Sequence, residues 1–238
     1  IMKKSIHLIW QIPALSISLF LCFAIGGAIS GLADMPGDNM PSEAAAIAEA
    51  AQTAGMLLLS CFITAVIVSL WLYFMRWSGW KAMLTVFIIY FMVNTVLTQI
   101  ESIFFNSALQ IPAAVMGQII LSGFITALLF APLSVVIMGR VRAPSNSSPS
   151  FGMSPRLVKA ALWVALIYVV IYFVFGYYVA WQSAAVREYY SGSTDILPFF
   201  SHMLSIIQGD LDIIPFQFFR GMIWAGLAIL IDRSMWAS

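Results

Sequence analysis

Residues 56–75 read MLLLSCFITAVIVSLWLYFM, and the next residue, Arg76, is the first charge after them. A helix needs roughly 20 residues to cross a hydrocarbon core about 30 Å thick, and this run is long enough. A strand of a membrane barrel would alternate apolar and polar side chains, which this run does not do. The stretch therefore predicts a transmembrane helix, because a helix pairs its own backbone amides inside lipid.

Five more runs have the same character, and the composition of the chain agrees with them. Only 9% of the 238 residues are charged and 62% are hydrophobic, whereas ordinary soluble domains carry about 25% charged residues. The further runs are residues 8–31, 82–100, 112–138, 158–181 and 213–231. The sequence therefore predicts an all-α integral membrane protein, a bundle of six transmembrane helices whose surroundings are the lipid bilayer.

The distribution of basic residues predicts the orientation of the six helices. Cytoplasmic loops carry an excess of lysine and arginine. When the runs are threaded alternately, all of the 11 basic residues except Arg187 and Arg220 fall on one side. They are Lys3, Lys4, Arg76, Lys81, Arg140, Arg142, Arg156, Lys159 and Arg233. We therefore expect both termini to be cytoplasmic, in a multi-pass protein of a cell membrane of the bacterial inner-membrane type.

The connecting segments suggest how the chain is organised. Residues 1–138 form a four-span N-terminal part, and residues 158–238 form a two-span C-terminal part within the same membrane domain. Residues 139–157, rich in proline and serine, predict a cytoplasmic linker between them. We expect short extracytoplasmic helices at 42–51, where helix propensity is high, and in the apolar last outer loop, 182–212.

Most catalytic chemistry has no signature in this sequence. The chain contains no GxSxG, HExxH, GxxxxGK or GxGxxG motif, so we assign no catalytic residue, metal or cofactor and do not expect an enzyme. Cys22 and Cys61 lie inside apolar runs and predict packing residues. His202 lies near Ser201, Ser205 and Asp210, but such neighbours are common in loops and we do not assign a triad. The net charge of +1 predicts no nucleic-acid partner.

Two charged residues in the spans are the strongest functional signal. Burying a charge in a bilayer costs at least about 2.5 to 3.5 kcal/mol on insertion scales, and such residues often mark solute or ion pathways. Glu101 ends the third run, and Arg220 lies near the start of the sixth. Both fall in the predicted outer half of the membrane, so we expect an ion pair between them, directly or through water.

Polar residues at helical spacing accompany these charges on three spans. Residues spaced by three or four share one helical face. The stripes are Tyr90, Asn94, Thr98 and Glu101 on the third span, Gln118, Ser122 and Thr126 on the fourth, and Gln217, Arg220 and Trp224 on the sixth. We expect these faces to point into the bundle. They could line a polar cavity that opens outward, or they could form interhelical hydrogen bonds, each worth on average about 0.6 kcal/mol.

Small residues on the first span predict a close helix contact. Gly27 and Gly31 have GxxxG spacing, and Ala24 and Ala28 reinforce the same face. Small side chains let two helix backbones approach closely. The neighbour could be another span of this chain or another membrane subunit.

These features support three functional interpretations. The first is a small-solute-binding or transport protein with a polar pocket in the outer half of the bundle, lined by the polar stripes with Glu101 and Arg220. The second is a non-catalytic accessory or scaffold subunit of a larger membrane complex, favoured by the small-residue face of the first span. The third is an intramembrane or lipid-modifying enzyme with Glu101 as base, which no nucleophile or metal cluster supports.

The predicted orientation can be tested by cysteine labelling. In a chain with Cys22 and Cys61 replaced by alanine, we expect Ser193→Cys to react with a membrane-impermeant maleimide on intact cells. Ser147→Cys, in the predicted linker, should react only after the cells are permeabilised. Labelling of Ser147→Cys in intact cells would overturn the threading.

Overall fold

The computed structural model describes residues 2–32, 43–142, 154–209 and 211–235. Every regular element in these ranges is helical. Six helices are long and apolar enough to cross a membrane: Ile9–Ser30, Gln52–Phe74, Gly79–Phe104, Ala113–Ile137, Pro155–Ala180 and Ile213–Met235. The six predicted spans are therefore confirmed as helices of membrane-spanning length, and the side on which each terminus lies stays a prediction.

Ten α-helices and two π turns make up the described chain. The helices are α1 (Met2–Ser30), α2 (Glu43–Phe74), α3 (Gly79–Phe91), α4 (Leu97–Phe104), α5 (Asn106–Leu109), α6 (Ala113–Ile137), α7 (Pro155–Phe175), α8 (Ala184–Ser191), α9 (Phe199–Gly209) and α10 (Ile213–Met235). The π turn Met92–Val96 joins α3 to α4, and the π turn Gly176–Ala180 extends α7. The third and fifth spans are therefore continuous helices with one widened turn each.

Some connections between the spans have the predicted structure and others do not. Helix α2 begins at Glu43 and continues without a break to Phe74, so the stretch 43–51 is helical but is not a separate short helix. Helices α8 and α9 lie in the connection between the fifth and sixth spans, where an apolar helix was expected. Residues 33–42 of the first outer loop and 143–153 of the expected linker lie outside the described residues.

The chain groups into two compact units. Unit 1 comprises Ile1–Glu101, Ile111–Ser148 and Ser234–Ser238, and unit 2 comprises Ser102–Gln110 and Pro149–Arg233. Unit 2 thus combines the fifth span and most of the sixth with a short segment that follows the third.

Helix α6 is the main packing partner inside unit 1, where it contacts both α1 and α3. Its buried side chains are Met116, Ser122, Thr126, Ala127, Phe130, Ala131, Ser134 and Val135. A Cβ atom at Gly26 of α1 would lie 2.6 Å from the carbonyl oxygen of Ser122. Only glycine fits there, so the α1 backbone lies directly against the Ser122 carbonyl and the Thr126 hydroxyl of α6, as small residues permit in membrane helices.

Backbone and side-chain hydrogen bonds connect the helix ends at one end of unit 1. Arg140 donates to the carbonyl oxygen of Tyr73, and the amide of Gly79 donates to the carbonyl oxygen of Arg140 at 2.9 Å. The indole Nε1 of Trp71 donates to the hydroxyl of Ser234 at 2.9 Å. These bonds satisfy polar groups at helix ends, where the helix itself supplies no partners.

The small-residue face expected on the first span is not the face that packs inside unit 1. Ala24 and Ala28 are exposed, and a Cβ atom at Gly27 would meet nothing within 4 Å. The buried positions are Leu15, Ser16, Leu19, Cys22, Gly26 and Ser30. Gly31, which ends the helix with φ of 75°, faces Gln118, since its Cβ would lie 3.3 Å from that amide nitrogen. The contact face is therefore rotated by about one residue from the expected one.

Unit 2 contains a comparable close contact between its two long helices. A Cβ atom at Gly221 of α10 would lie 2.8 Å from the Cα atom of Ala165 in α7. The rings of Phe104 and Phe216 stack at 4.0 Å between centroids. Glycine at the crossing and aromatic stacking beside it hold α10 within unit 2.

Neighbouring glycines provide a matched test of the α1 contact. We expect Gly26→Ala to destabilise the protein by about 1 to 3 kcal/mol, because the new methyl group overlaps the Ser122 carbonyl. Gly27→Ala should be neutral or stabilising by up to about 1 kcal/mol, since alanine favours a helix and space is available. Thermal unfolding in detergent measures both, and equal effects at the two positions would contradict this packing.

Candidate functional site

The sixth span carries a buried polar pair. Gln217 and Arg220 lie three residues apart on one face of α10, and only 0% and 6% of their surfaces are exposed. The Nη1 atom of Arg220 donates a hydrogen bond of 3.1 Å to the Oε1 atom of Gln217. Burial in a span leaves such groups without bulk water, so each remaining polar atom needs a partner nearby.

The chemistry of arginine fixes the orientation of the Gln217 amide. A guanidinium group can only donate hydrogen bonds, so the glutamine atom facing it has to be the oxygen. The nitrogen Nε2 therefore points elsewhere, and it is buried with no hydrogen-bond partner among the described residues. A buried donor left in this state costs about 1 to 3 kcal/mol.

Aromatic rings surround the pair on one side. The Cζ atom of Arg220 lies 5.9 Å from the centroid of the Phe216 ring, which in turn stacks on Phe104. An aromatic face attracts a guanidinium and excludes water. Excluding water strengthens any charge-assisted hydrogen bond that Arg220 makes.

The polar stripe expected on the third span is interrupted. Tyr90 is 6% exposed, but Asn94 and Thr98 are exposed and Glu101 is half-buried. The π turn lies between them, with the amide of Leu97 donating to the carbonyl oxygen of Met92. Asn94 and Thr98 donate to carbonyl oxygens of their own helix.

The π turn explains why Asn94 and Thr98 do not lie on the buried face with Tyr90. A π turn adds about one residue to the helical repeat, so spacing by four no longer keeps residues in line. Thr95, which is 3% exposed, takes the buried position after Tyr90. It lies against Gly123 of α6, where a Cβ atom would overlap its side chain. Spacing alone carried no signal for the π turn.

The polar residues of the stripe on the fourth span lie in two different environments. Ser122 and Thr126 are buried, and the Thr126 hydroxyl donates to the carbonyl oxygen of Ser122 at 2.8 Å. These two residues form the contact with α1. Gln118 is half-buried, and its Oε1 atom, like that of Gln99, is buried without a hydrogen-bond partner among the described residues.

Glu101 and Arg220 belong to different units, and their expected ion pair stays a prediction. Trp224, the third member of the stripe on the sixth span, is half-buried. Among the sequence-predicted site residues, the structure therefore brings together Gln217 and Arg220 in unit 2.

A second candidate site lies in the connection between the fifth and sixth spans, where sequence reasoning assigned no site. It is an open cavity of about 470 Å³, and most of its lining residues are exposed. Its lining residues are Trp181, Ser191, Ser193, Asp195, Leu197, His202, Ser205, Ile206 and Gly209. We call it the loop cavity.

Arg187 holds the walls of the loop cavity together. Only 8% of its surface is exposed. Its Nε atom donates to the carbonyl oxygen of Thr194 at 2.8 Å, and its Nη1 atom donates to that of Trp181 at 2.6 Å. Tyr177 adds a hydrogen bond of 2.7 Å from its hydroxyl to the carbonyl oxygen of Leu197. Charge-assisted bonds from one arginine thus fix two separate backbone segments.

His202 forms part of the aromatic wall of the loop cavity. Its ring lies 4.6 Å from the Trp181 ring, measured between centroids, with an angle of 30° between the planes. Burial lowers the pKa of His202 from its ordinary value, so the ring is neutral at neutral pH. The Ser205 hydroxyl donates to the backbone carbonyl of His202 at 2.7 Å rather than to the ring. Asp210 lies outside the described residues.

Comparisons with known proteins assign no family to this chain. The chain matches no protein-family model, and no curated protein or solved structure is similar to it. Within the described residues, no three histidine, cysteine, aspartate or glutamate side chains group into a metal site. The function therefore has to be inferred from the two sites themselves.

The role of Arg187 in the loop cavity can be tested with Arg187→Lys, which keeps the charge. Lysine cannot span two carbonyl groups as the guanidinium does, so we expect residues 184–198 to lose about 1.5 kcal/mol or more of local stability. Hydrogen exchange of these amides measures the loss. Arg142→Lys, at an exposed position, is the matched control, and equal protection in both variants would exclude this role.

Proposed function

We propose that this protein binds, and as a transport-class protein passes, a small solute carrying a hydrogen-bond acceptor such as a carboxylate. The site is centred on Gln217 and Arg220 in the outer half of the sixth span. The observation that carries the proposal is the Gln217 amide, which is completely buried and whose nitrogen has no partner among the described residues.

The free-energy cost of a buried donor without a hydrogen-bond partner supports a ligand beside the Gln217 nitrogen. Native proteins leave few buried polar atoms unpaired, and those that remain need an explanation such as water or a bound ligand. A purely structural pair would need only the bond between Arg220 and the Gln217 oxygen. The second amide atom is therefore available to a solute.

The depth of the pair is compatible with access from outside. Gln217 lies four residues after Ile213, where α10 begins, and at 1.5 Å per residue this is about 6 Å along the helix. In the predicted threading, this end of α10 faces the outside of the cell. A solute would have to cross only a short part of the membrane to reach the pair.

The donor set indicates the class of solute. A guanidinium group and an amide N–H together present only donors, and charge-assisted bonds to a carboxylate are the strongest they can make. The sequence offers the carboxylate of Glu101 as an acceptor for Arg220 within the chain itself. The alternative is therefore a structural ion pair between Glu101 and Arg220 with no solute.

A panel of variants and probes distinguishes these alternatives. Acetate, succinate and glutamate should raise the thermal unfolding temperature of the purified protein, and their amides should not, because ligand binding stabilises the folded state. Gln217→Leu should fold and bind about tenfold more weakly, about 1.4 kcal/mol. Arg220→Met should lose the carboxylate effect. Gln208→Leu, at an exposed glutamine of α9, is the control.

Two outcomes would contradict the proposal. If Glu101→Gln and Arg220→Met each abolish folding yield, the two residues form a structural pair. If Arg220→Met folds and responds to carboxylates as the unchanged protein does, the site does not use the guanidinium.

A second candidate function, that of an accessory subunit, is supported by the exposed face of α1. Ala24 and Ala28 are exposed, and Gly27 has open space beside it, so a helix of another chain could approach there. Purification in mild detergent should then yield a stoichiometric partner. Gly27→Leu should release that partner without lowering the stability of the chain.

A further inference from the structure

The loop cavity has a composition that the proposed carboxylate site does not use. Its polar lining consists of three serines, an aspartate and a histidine, and its apolar lining includes Leu197 and Ile206. It lies in the connection between the fifth and sixth spans, outside the membrane-spanning segments. The hydrogen bonds that its walls can still make determine which ligand fits.

The serine hydroxyls have already used their protons. Ser191 donates to the carbonyl oxygen of Arg187 at 2.7 Å, and Ser205 donates to that of His202 at 2.7 Å. Ser193 donates to the Oδ2 atom of Asp195 at 3.1 Å. Because a serine has only one proton, each oxygen can now offer the cavity only lone pairs. The serines therefore offer the cavity acceptors only, while Trp181 and the neutral ring of His202 each carry one N–H donor.

The described lining residues of the cavity include the carboxylate of Asp195 and no cationic side chain. The guanidinium of Arg187 is buried behind the wall and bonded to backbone carbonyls. His202 is neutral at neutral pH because burial lowers its pKa. Asp195 is thus the charged group of the cavity, and an anionic ligand would be repelled by it.

We propose that the loop cavity binds a small organic amine in its ammonium form. The ammonium N–H groups donate to Asp195 and to the oxygens of Ser191, Ser193 and Ser205. The carbon chain of the amine contacts Leu197, Ile206 and the aromatic wall of Trp181. An ammonium group suits this cavity because it carries only donors and one positive charge, the complement of acceptors around a carboxylate.

Calorimetric titration of the purified full-length protein with 1,4-diaminobutane tests the proposal. We expect binding of 1,4-diaminobutane and none of 1,4-butanediol, which has nearly the same shape but no charge. Asp195→Asn keeps the shape of the side chain and should weaken binding at least tenfold. Asp212→Asn changes an exposed aspartate that does not line the cavity, and it should bind as the unchanged protein does.

Three results would overturn the proposal: no heat from the diamine, equal binding of the diol, or equal binding by Asp195→Asn. Thermal unfolding of each variant shows whether it is folded. Diamine binding and the carboxylate-induced rise in unfolding temperature are separate measurements on the unchanged protein, so failure of the amine site and failure of the carboxylate site are distinguishable.

Discussion

Lipid offers no hydrogen bonds, and this constraint governs every part of the structure. Each backbone amide in a span has to bond within its own helix, which is why all six apolar runs are helical. The same constraint makes polar side chains in the spans informative, because each one must find a partner inside the protein. The pair of Gln217 and Arg220 satisfies this requirement only in part, so it is the place where a solute could complete the bonding.

The sequence was sufficient to predict the spans but not the faces on which they pack. Apolar length alone defines a span, and residues 56–75 lie within a helix as expected. The sequence could not separate the contact face of α1 from the Gly27 face that we predicted, because Ala24, Gly26, Gly27 and Ala28 are all small and lie within little more than one turn. Only the position of the Ser122 carbonyl beside Gly26 distinguishes the contact face from its neighbours.

The two candidate sites differ in how far the sequence could predict them. Arg220 was recognised because a charge in a span is costly and therefore conspicuous. The loop cavity was not, because its walls are held by bonds from Arg187 to the carbonyls of Trp181 and Thr194. Carbonyl groups are present at every residue, so a sequence gives no sign of which ones an arginine will select. His202 was noticed only because it lies near Ser201, Ser205 and Asp210 in the sequence, whereas the structure places its ring against Trp181.

The hydrogen bonding around the two π turns is subject to the same constraint as that of the spans. A widened turn disturbs the usual bonding of nearby carbonyl groups, and in lipid a carbonyl without a donor is costly. Beside one turn the side-chain amide of Asn94 donates to the carbonyl oxygen of Tyr90 at 3.1 Å. Beside the other, Gln182 donates to that of Tyr177 at 2.9 Å. A side-chain amide thus supplies an extra donor beside each turn. At the first turn, Thr95 occupies the buried face that regular spacing would have given to Asn94.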